Sequence, residues 1–357
     1  MHILHVVGAR PNFMKAAPLL RALGRLPQVR QTLIHTGQHY DAAMSEVFFR
    51  QLGLPEPDVN LAVGSASQSQ QTAEVMLRLE PVLLERNPEW LVVYGDVNST
   101  LAAALVACKL GIRVAHVEAG LRSRDRTMPE EINRVVTDQL SDLLFTPSAD
   151  ADDNLRQEGI EANRIHRVGN VMIDTLIRLL PQAAMPGEFA DPGRFVLVTL
   201  HRPANVDDLP WLREMLAALT EVSQDAQVLF PVHPRTAKRL AEANAMPAAN
   251  GRLRLLAPLP YLEFLALQRN ASAVITDSGG IQEETSYLGV PCLTVRENTE
   301  RPITLIEGTN TLVGRDILRL RQELVRVLSQ PSLKVHPIPL WDGHAAERIT
   351  RILVPPA

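Results

Sequence analysis

Short apolar runs alternate along this chain with stretches whose apolar residues recur at spacings of three and four. The runs at 3–7, 32–35, 91–94, 114–117 and 143–146 read as strands buried on both faces, and the segment at 99–109 between two of them has helical spacing. Strands that alternate with helices predict parallel βαβ units, with helices covering both sides of the sheet. At 181–194 the pattern stops, because Pro181, Pro186, Gly187, Pro192 and Gly193 interrupt any period. It restarts with predicted strands at 195–200, 228–231, 253–255, 273–276 and 292–295. The predicted class is therefore α/β, with two doubly wound domains at 1–180 and 181–341. No internal sequence repeat relates them. Pro331, Pro337 and Pro339 close the second domain, and 344–353 predicts a last amphipathic helix that the pattern assigns to neither.

In open sheets of this kind ligands sit beyond the carboxyl ends of the strands, so residues just after each strand are the candidates for chemistry. The most informative stretch is Asp277-Ser278-Gly279-Gly280-Ile281-Gln282-Glu283-Glu284. Glycines there let a ligand approach the backbone, and the unpaired N–H groups of a helix start favour an anion, so a diphosphate fits at Ser278, Gly279 and Gly280. Glu284 repels a phosphate but accepts hydrogen bonds from vicinal hydroxyls such as a ribose diol. Together they suggest a nucleoside diphosphate; a strand-to-helix turn with glycines kept for tight packing is the alternative.

The other strand ends add charge. Arg10 and Lys15, after the first strand, are placed either to reach a phosphate or partner carboxylate or to lie as solvated surface charges. Asp96 reads as a helix N-cap or as a functional carboxylate. Glu118 ends an apolar strand just before Ala119 and Gly120, where desolvation would raise its pKa toward that of a working acid or base. Arg122, Arg124 and Arg126 follow, the last two reading as a solvated loop. Glu130 and Glu131 lie in the first turn of a helix opened by Pro129, where they also complement the helix dipole. In the second domain His201 with Arg202, and later His233, emerge at strand ends, and Arg301 is placed to close on the phosphates.

Composition narrows the partners. At 357 residues the chain exceeds one core, and 46% hydrophobic with 21% charged residues is ordinary globular material. A net charge of -4 and 4% aromatics argue against nucleic acid. No apolar run approaches the ~20 residues of a membrane span, and the N-terminal residues run straight into a strand, so a cytoplasmic location is expected. Cys108 and Cys292 read as two buried free thiols. No G-x-G-x-x-G and no metal-ligand spacing occurs among the ten histidines, so neither a redox cofactor nor a catalytic metal is expected.

The motifs taken together resemble the non-hydrolysing UDP-N-acetylglucosamine 2-epimerase family over nearly the whole chain. They are Gly8-Ala9-Arg10-Pro11 with Lys15, Thr36-Gly37-Gln38-His39, Tyr94-Gly95-Asp96, His116-Val117-Glu118-Ala119-Gly120-Leu121-Arg122 and Pro129-Glu130-Glu131-Ile132-Asn133-Arg134. His201-Arg202, Pro231-Val232-His233-Pro234, the segment 276–284, Thr299-Glu300-Arg301-Pro302 and Asp342-Gly343 complete the set. The resemblance implies a GT-B fold, two Rossmann-like domains facing across a cleft, with the C-terminal helix at 342–357 returning to the first. It implies inversion at C2 of UDP-N-acetylglucosamine to give UDP-N-acetylmannosamine, by elimination and re-addition of UDP through a glycal. The catalytic groups it implies are Asp96, Glu118, Glu130 and His201. UDP contacts carry over to Arg10, Lys15, His201, Ser278, Gly279, Gly280, Glu284 and Arg301, with Phe264 and the backbone of Leu259 near the uracil. No cofactor is implied, and a homodimer is. Activation by a second UDP-sugar would use Gln38, Glu130, Arg202 and His233, although the 65–71 region lacks a basic residue to complete that pocket. A UDP-2,3-diacetamido-uronate 2-epimerase and a GT-B glycosyltransferase are the alternatives; the latter needs an acceptor pocket rather than several carboxylates.

Overall fold

The computed structural model describes residues 1–38, 49, 51–189, 193–242, 251–329 and 337–355. His39, Pro192 and Pro331 lie outside the described residues. The chain divides into two compact units, one built from 1–178 with 339–357 and the other from 179–338.

In the first unit the elements run β1 (His2–Val7), α1 (Arg10–Leu23), β2 (Arg30–His35), β3 (Val59–Asn60), α2 (Gln68–Arg86), β4 (Trp90–Tyr94), α3 (Asn98–Lys109) and β5 (Arg113–Val117). They continue with α4 (Pro129–Leu140), β6 (Leu143–Thr146), α5 (Ala149–Gln157), β7 (Ile165–Arg167) and α6 (Val171–Leu179). The seven strands form one parallel sheet in the order β3-β2-β1-β4-β5-β6-β7. The order reverses between β1 and β4, the position where open sheets of this type leave a crevice at their carboxyl ends.

The second unit repeats the scheme with β8 (Phe195–Thr199), α7 (Pro203–Val206), α8 (Leu209–Val222), β9 (Gln227–Pro231), α9 (Pro234–Glu242), β10 (Leu253–Leu256) and α10 (Tyr261–Asn270). After these come β11 (Ala273–Thr276), α11 (Gly279–Leu288), β12 (Cys292–Thr294), α12 (Ile303–Ile306), β13 (Asn310–Leu312) and α13 (Ile317–Ser329). Its parallel sheet has the order β10-β9-β8-β11-β12-β13, with the reversal between β8 and β11. Alternation along β8 shows why its sequence is apolar throughout. Val196 and Val198 pack into one core with Phe230 and Ile275, while Phe195 and Leu197 pack into the other with Leu229 and Val274.

Helix α14 (Ala345–Leu353) packs on α1 through its buried face, Ala345, Ala346, Ile349 and Leu353. Asp174 of α6 fixes its start, accepting the backbone N–H groups of Ala345 and Ala346 at 3.2 and 2.8 Å. Trp341, just upstream, donates to the carbonyl of Pro147 at 2.9 Å.

Two sequence readings need correction. Cys108 is exposed, because it lies on the solvent side of the last turn of α3 while Val106 and Ala107 of the same turn are buried; Cys292 is buried in β12 as expected, and both are free. The edge strands β3, β7 and β13 were not predicted, being two or three residues long and too short to display a period.

Candidate active site

Each sheet reversal carries a cluster of polar residues at the carboxyl ends of its strands. In the first unit the loop after β1 is tied to β4 by Asn12, whose Oδ1 accepts the N–H groups of Gly8 and Ala9 at 3.1 Å and whose Nδ2 donates to the carbonyl of Tyr94 at 2.7 Å. One turn along α1, Lys15 reaches inward rather than outward, and its Nζ lies 2.6 Å from Glu118 Oε1 with both side chains buried. Glu118 is thus not a bare carboxylate in apolar surroundings; its charge is compensated by an ammonium. Its backbone has φ 73°, a left-handed conformation that a residue with a Cβ adopts under constraint. That constraint comes from Glu118 N–H and Ala119 N–H, which both donate to the carbonyl of Phe145 at 3.1 Å. Gly95 lies against the pair, and a Cβ there would come within 2.6 Å of Lys15 Nζ.

Asp96 does not cap α3. The N-cap of that helix is Val97, without a side-chain bond, and Asp96 instead forms an ion pair with Arg134 of α4. Arg134 also holds Glu131 at 2.6 Å, and Glu131 accepts the N–H groups of Ser123 and Arg124. Burial alone would push Glu131 up, but these donors and Arg134 hold its carboxyl below the usual range. Glu130, its neighbour, is half-buried in the first turn of α4 and has no hydrogen bond or ion pair among the described residues. Two adjacent acids thus have different work: Glu131 braces Arg134, and Glu130 remains available. Arg10 is exposed at the start of α1. Gln38 is buried, and its Oε1 accepts from Ser99 N–H and Oγ–H at 3.1 and 2.7 Å.

In the second unit the reversal is bridged by His201, after β8, and Asp277, after β11. His201 Nδ1 lies 2.9 Å from Asp277 Oδ1, the imidazole half-exposed and the carboxylate fully buried. Asp277 also accepts from the backbone N–H of His201 and Arg202 and from Asn205 Nδ2. Burial would raise its carboxyl, yet His201 and these donors outweigh it and hold it below the ordinary value. An ionised Asp277 orients the ring so that Nε2 is the nitrogen left to meet a ligand.

The helix start at Ser278, Gly279 and Gly280 is half-buried, and Ser278 makes no capping bond of its own. Arg301 supports this turn from behind. Its guanidinium pairs with Glu283 at 3.0 Å and Glu300 at 2.9 Å and occupies the space a Cβ on Gly279 would need. One turn on, Glu284 is buried and accepts a 2.8 Å hydrogen bond from the Tyr261 hydroxyl. Burial, only partly opposed by Tyr261 and Gln268, pushes its carboxyl up to about 7. Leu259 and Phe264 are partly buried at the edge of the core formed with Phe195 and Leu197. Arg202 lies 3.7 Å from Glu300, and His233 is exposed after β9.

A family model described as UDP-N-acetylglucosamine 2-epimerase matches residues 21–354. The UDP-N-acetylglucosamine 2-epimerase of Methanocaldococcus jannaschii is 43% identical over 99% of both chains. The chain belongs to the UDP-N-acetylglucosamine 2-epimerase family. The crystal structure of that relative in complex with UDP-GlcNAc and UDP superposes with a TM-score of 0.90, covering 99% of each chain. The UDP-2,3-diacetamido-2,3-dideoxy-D-glucuronate 2-epimerase of Pseudomonas aeruginosa is also 43% identical, over 89% of this chain and 90% of its own. As a member of this epimerase family the chain is an isomerase with a GT-B-like fold. Among the described residues no helix is long and apolar enough to cross a membrane, and no group of three or more His, Cys, Asp or Glu could hold a metal.

Within this epimerase the structure pairs Lys15 with Glu118 beside Gly95, and Asp96 with Arg134, in the first unit; in the second, His201 pairs with Asp277, which leads into the helix start at Ser278, Gly279 and Gly280. Sequence reasoning missed Asn12, Arg134, Tyr261 and the part played by Asp277. The only available signal was that a polar residue inside an apolar period, such as Asn12, demands a partner.

Proposed function

We propose that the protein interconverts UDP-N-acetylglucosamine and UDP-N-acetylmannosamine by elimination and re-addition of UDP. The C2 proton has no adjacent carbonyl to acidify it, so departure of UDP from C1 has to accompany its removal. A carboxylate takes the proton, the C1–O bond breaks, and the electrons form the C1–C2 double bond of a glycal. A second acid then delivers a proton to C2 from the opposite face as an oxygen of UDP rejoins C1, and atoms and charge balance without a cofactor. The observation that carries this reading is the buried Lys15–Glu118 pair at 2.6 Å beside Asp96 and its partner Arg134. Proton transfer on two faces of a sugar requires more than one positioned carboxylate, and a GT-B glycosyltransferase has no such need.

Glu118, Asp96 and Glu130 carry the protons in this scheme. His201, oriented by Asp277, meets the leaving diphosphate together with the N–H groups at Gly279 and Gly280, and stabilising that leaving group is itself catalysis. Glu284 accepts from the ribose diol. The identity shared with the Pseudomonas relative favours a second reading, in which the sugar is a 2,3-diacetamido-uronate. Incubation with UDP-N-acetylglucosamine in deuterated water, followed by NMR, tests both. Deuterium at C2 with UDP-N-acetylmannosamine formed supports the proposal. Unlabelled, unchanged substrate sinks it, and turnover of the diacetamido-uronate alone moves the assignment to the second sugar.

A further inference from the structure

Beneath Gly95 and Glu118 lies a fully buried chain of charges for which the proposed reaction has no use. His116 of β5 and Asp138 of α4 both have fully buried side chains, with His116 Nδ1 2.7 Å from Asp138 Oδ1. The other ring nitrogen, Nε2, lies 2.8 Å from the backbone carbonyl of Gly95. A peptide carbonyl can only accept, so Nε2 carries a hydrogen. Asp138 Oδ2 already receives Arg122 Nη1 at 2.8 Å and the N–H of Gly120 at 3.1 Å. The Arg122 guanidinium and the Gly120 N–H converging on one carboxylate favour its ionised form, which also can only accept, so Nδ1 carries a hydrogen as well. Arg122 is in turn anchored by Glu158, at 2.8 and 2.6 Å, and by the carbonyl of Leu121 at 2.7 Å.

We infer that His116 is held as a buried imidazolium that positions the two acid/base loops of the site against each other. One arm of the network pins the carbonyl of Gly95, and so the peptide that leads into Asp96. The other arm, through Asp138, pins the N–H of Gly120 and so the exit from Glu118. A neutral histidine would leave either Gly95 or Asp138 facing a lone pair. The cation therefore adds a side-chain tie to the backbone bond, Gly95 N–H to the Val117 carbonyl at 3.0 Å, that joins β4 to β5 just past their last paired residues, Tyr94 and Val117. A C2 epimerisation needs its proton carriers held in a fixed relation, because a misplacement of ~1 Å can lower a rate by ~100-fold. His116, Asp138 and Arg122 are positioning residues on this reading, which rests on the proposed roles of Asp96 and Glu118. None of them is expected to touch the sugar.

The experiment has two arms. In the first, wild-type protein labelled with nitrogen-15 at histidine is observed by proton–nitrogen NMR at neutral pH. One ring should show two N–H resonances in slow exchange with water. Among the described residues His5 is the other fully buried histidine; its desolvated ring, pushed down to about 3, is neutral and shows at most one. Absence of a doubly protonated protected ring at neutral pH would overturn the inference, whatever sugar the protein uses. In the second arm Asp138→Asn is measured on whichever UDP-sugar the wild type turns over. The expected result is kcat lower by about 10- to 100-fold with UDP affinity within about two-fold, as for loss of a buried partner behind a working group. An unchanged kcat would overturn it, and so would equal losses of kcat and UDP affinity. If the variant does not fold, the wild-type spectrum decides alone.

Discussion

Glu118 of the first unit and Glu284 of the second are buried in opposite ways. Glu118 faces Lys15, as Asp138 faces Arg122 and, in the second unit, Glu283 faces Arg301, so each of these buried negative charges has a cation beside it. Glu284 instead accepts from the neutral Tyr261 hydroxyl, and its carboxyl is driven up to about 7. A charge that must persist through a reaction needs a permanent counter-ion, because desolvation otherwise neutralises it. A carboxylate meant for a neutral diol needs donors only when the ligand is present, and the diol supplies them. The contrast between the two glutamates thus separates proton transfer from ligand holding.

The most severe way to break that contrast is Glu118→Gln, which should lower kcat by ~1,000-fold while UDP affinity by calorimetry stays within about two-fold. A near-normal rate would remove Glu118 from the proton carriers. Next is Lys15→Met, which removes the cation beside a buried carboxylate and should cost ~3 kcal/mol in denaturant unfolding. Adding Glu118→Gln to it should recover most of the loss, whereas simple additivity would show that the pair is not coupled.

Glu284→Gln should weaken UDP binding by about ten-fold, through loss of hydrogen bonds to a charged acceptor. It should also act on stability with a definite sign. Glu284 titrates near 7 in the folded protein against an ordinary value of 4.5, so between those pH values the unfolded chain releases a proton that the folded one keeps. Burial of Glu284 thus becomes progressively destabilising from about pH 4.5 to 7, by at most ~3 kcal/mol, and the full cost remains above that window. The glutamine variant should therefore melt higher than wild type at pH 8 and about equally at pH 4.5. UDP affinity of the wild type should fall as the pH drops below about 7. The mildest test is Tyr261→Phe, which removes one neutral hydrogen bond and should reduce UDP affinity by only about three- to five-fold.

Much of this arrangement was legible in the sequence because parallel strands deliver their following residues to one edge of a sheet. Arg10, Asp96 and Glu118 announce themselves by standing just after apolar runs, and so do His201 and Ser278. What a side chain does there was not legible, since it depends on partners far along the chain. Lys15 meets Glu118 across 103 residues, Tyr261 meets Glu284 across 23 and His116 meets Asp138 across 22. The same cause explains the readings that changed. Asp96 looked like a cap until Arg134 claimed it, and Arg301, read as a phosphate ligand, also pairs with Glu283 and Glu300 beside the glycine turn. Glu130 and Glu131 are indistinguishable as letters, and only the packing of α4 gives the second to Arg134.

Helix α14 imposes an order on the birth of the molecule. Residues 339–355 belong to the first unit but leave the ribosome only after all of the second has been made, so the flank of α1 and the carboxylate of Asp174 wait uncovered meanwhile. A nascent chain stalled near residue 338 would hold a complete second unit and an unfinished first one. Until α14 is made its seam on α1 stays uncovered, and transiently exposed apolar surface of this kind is open to off-pathway association.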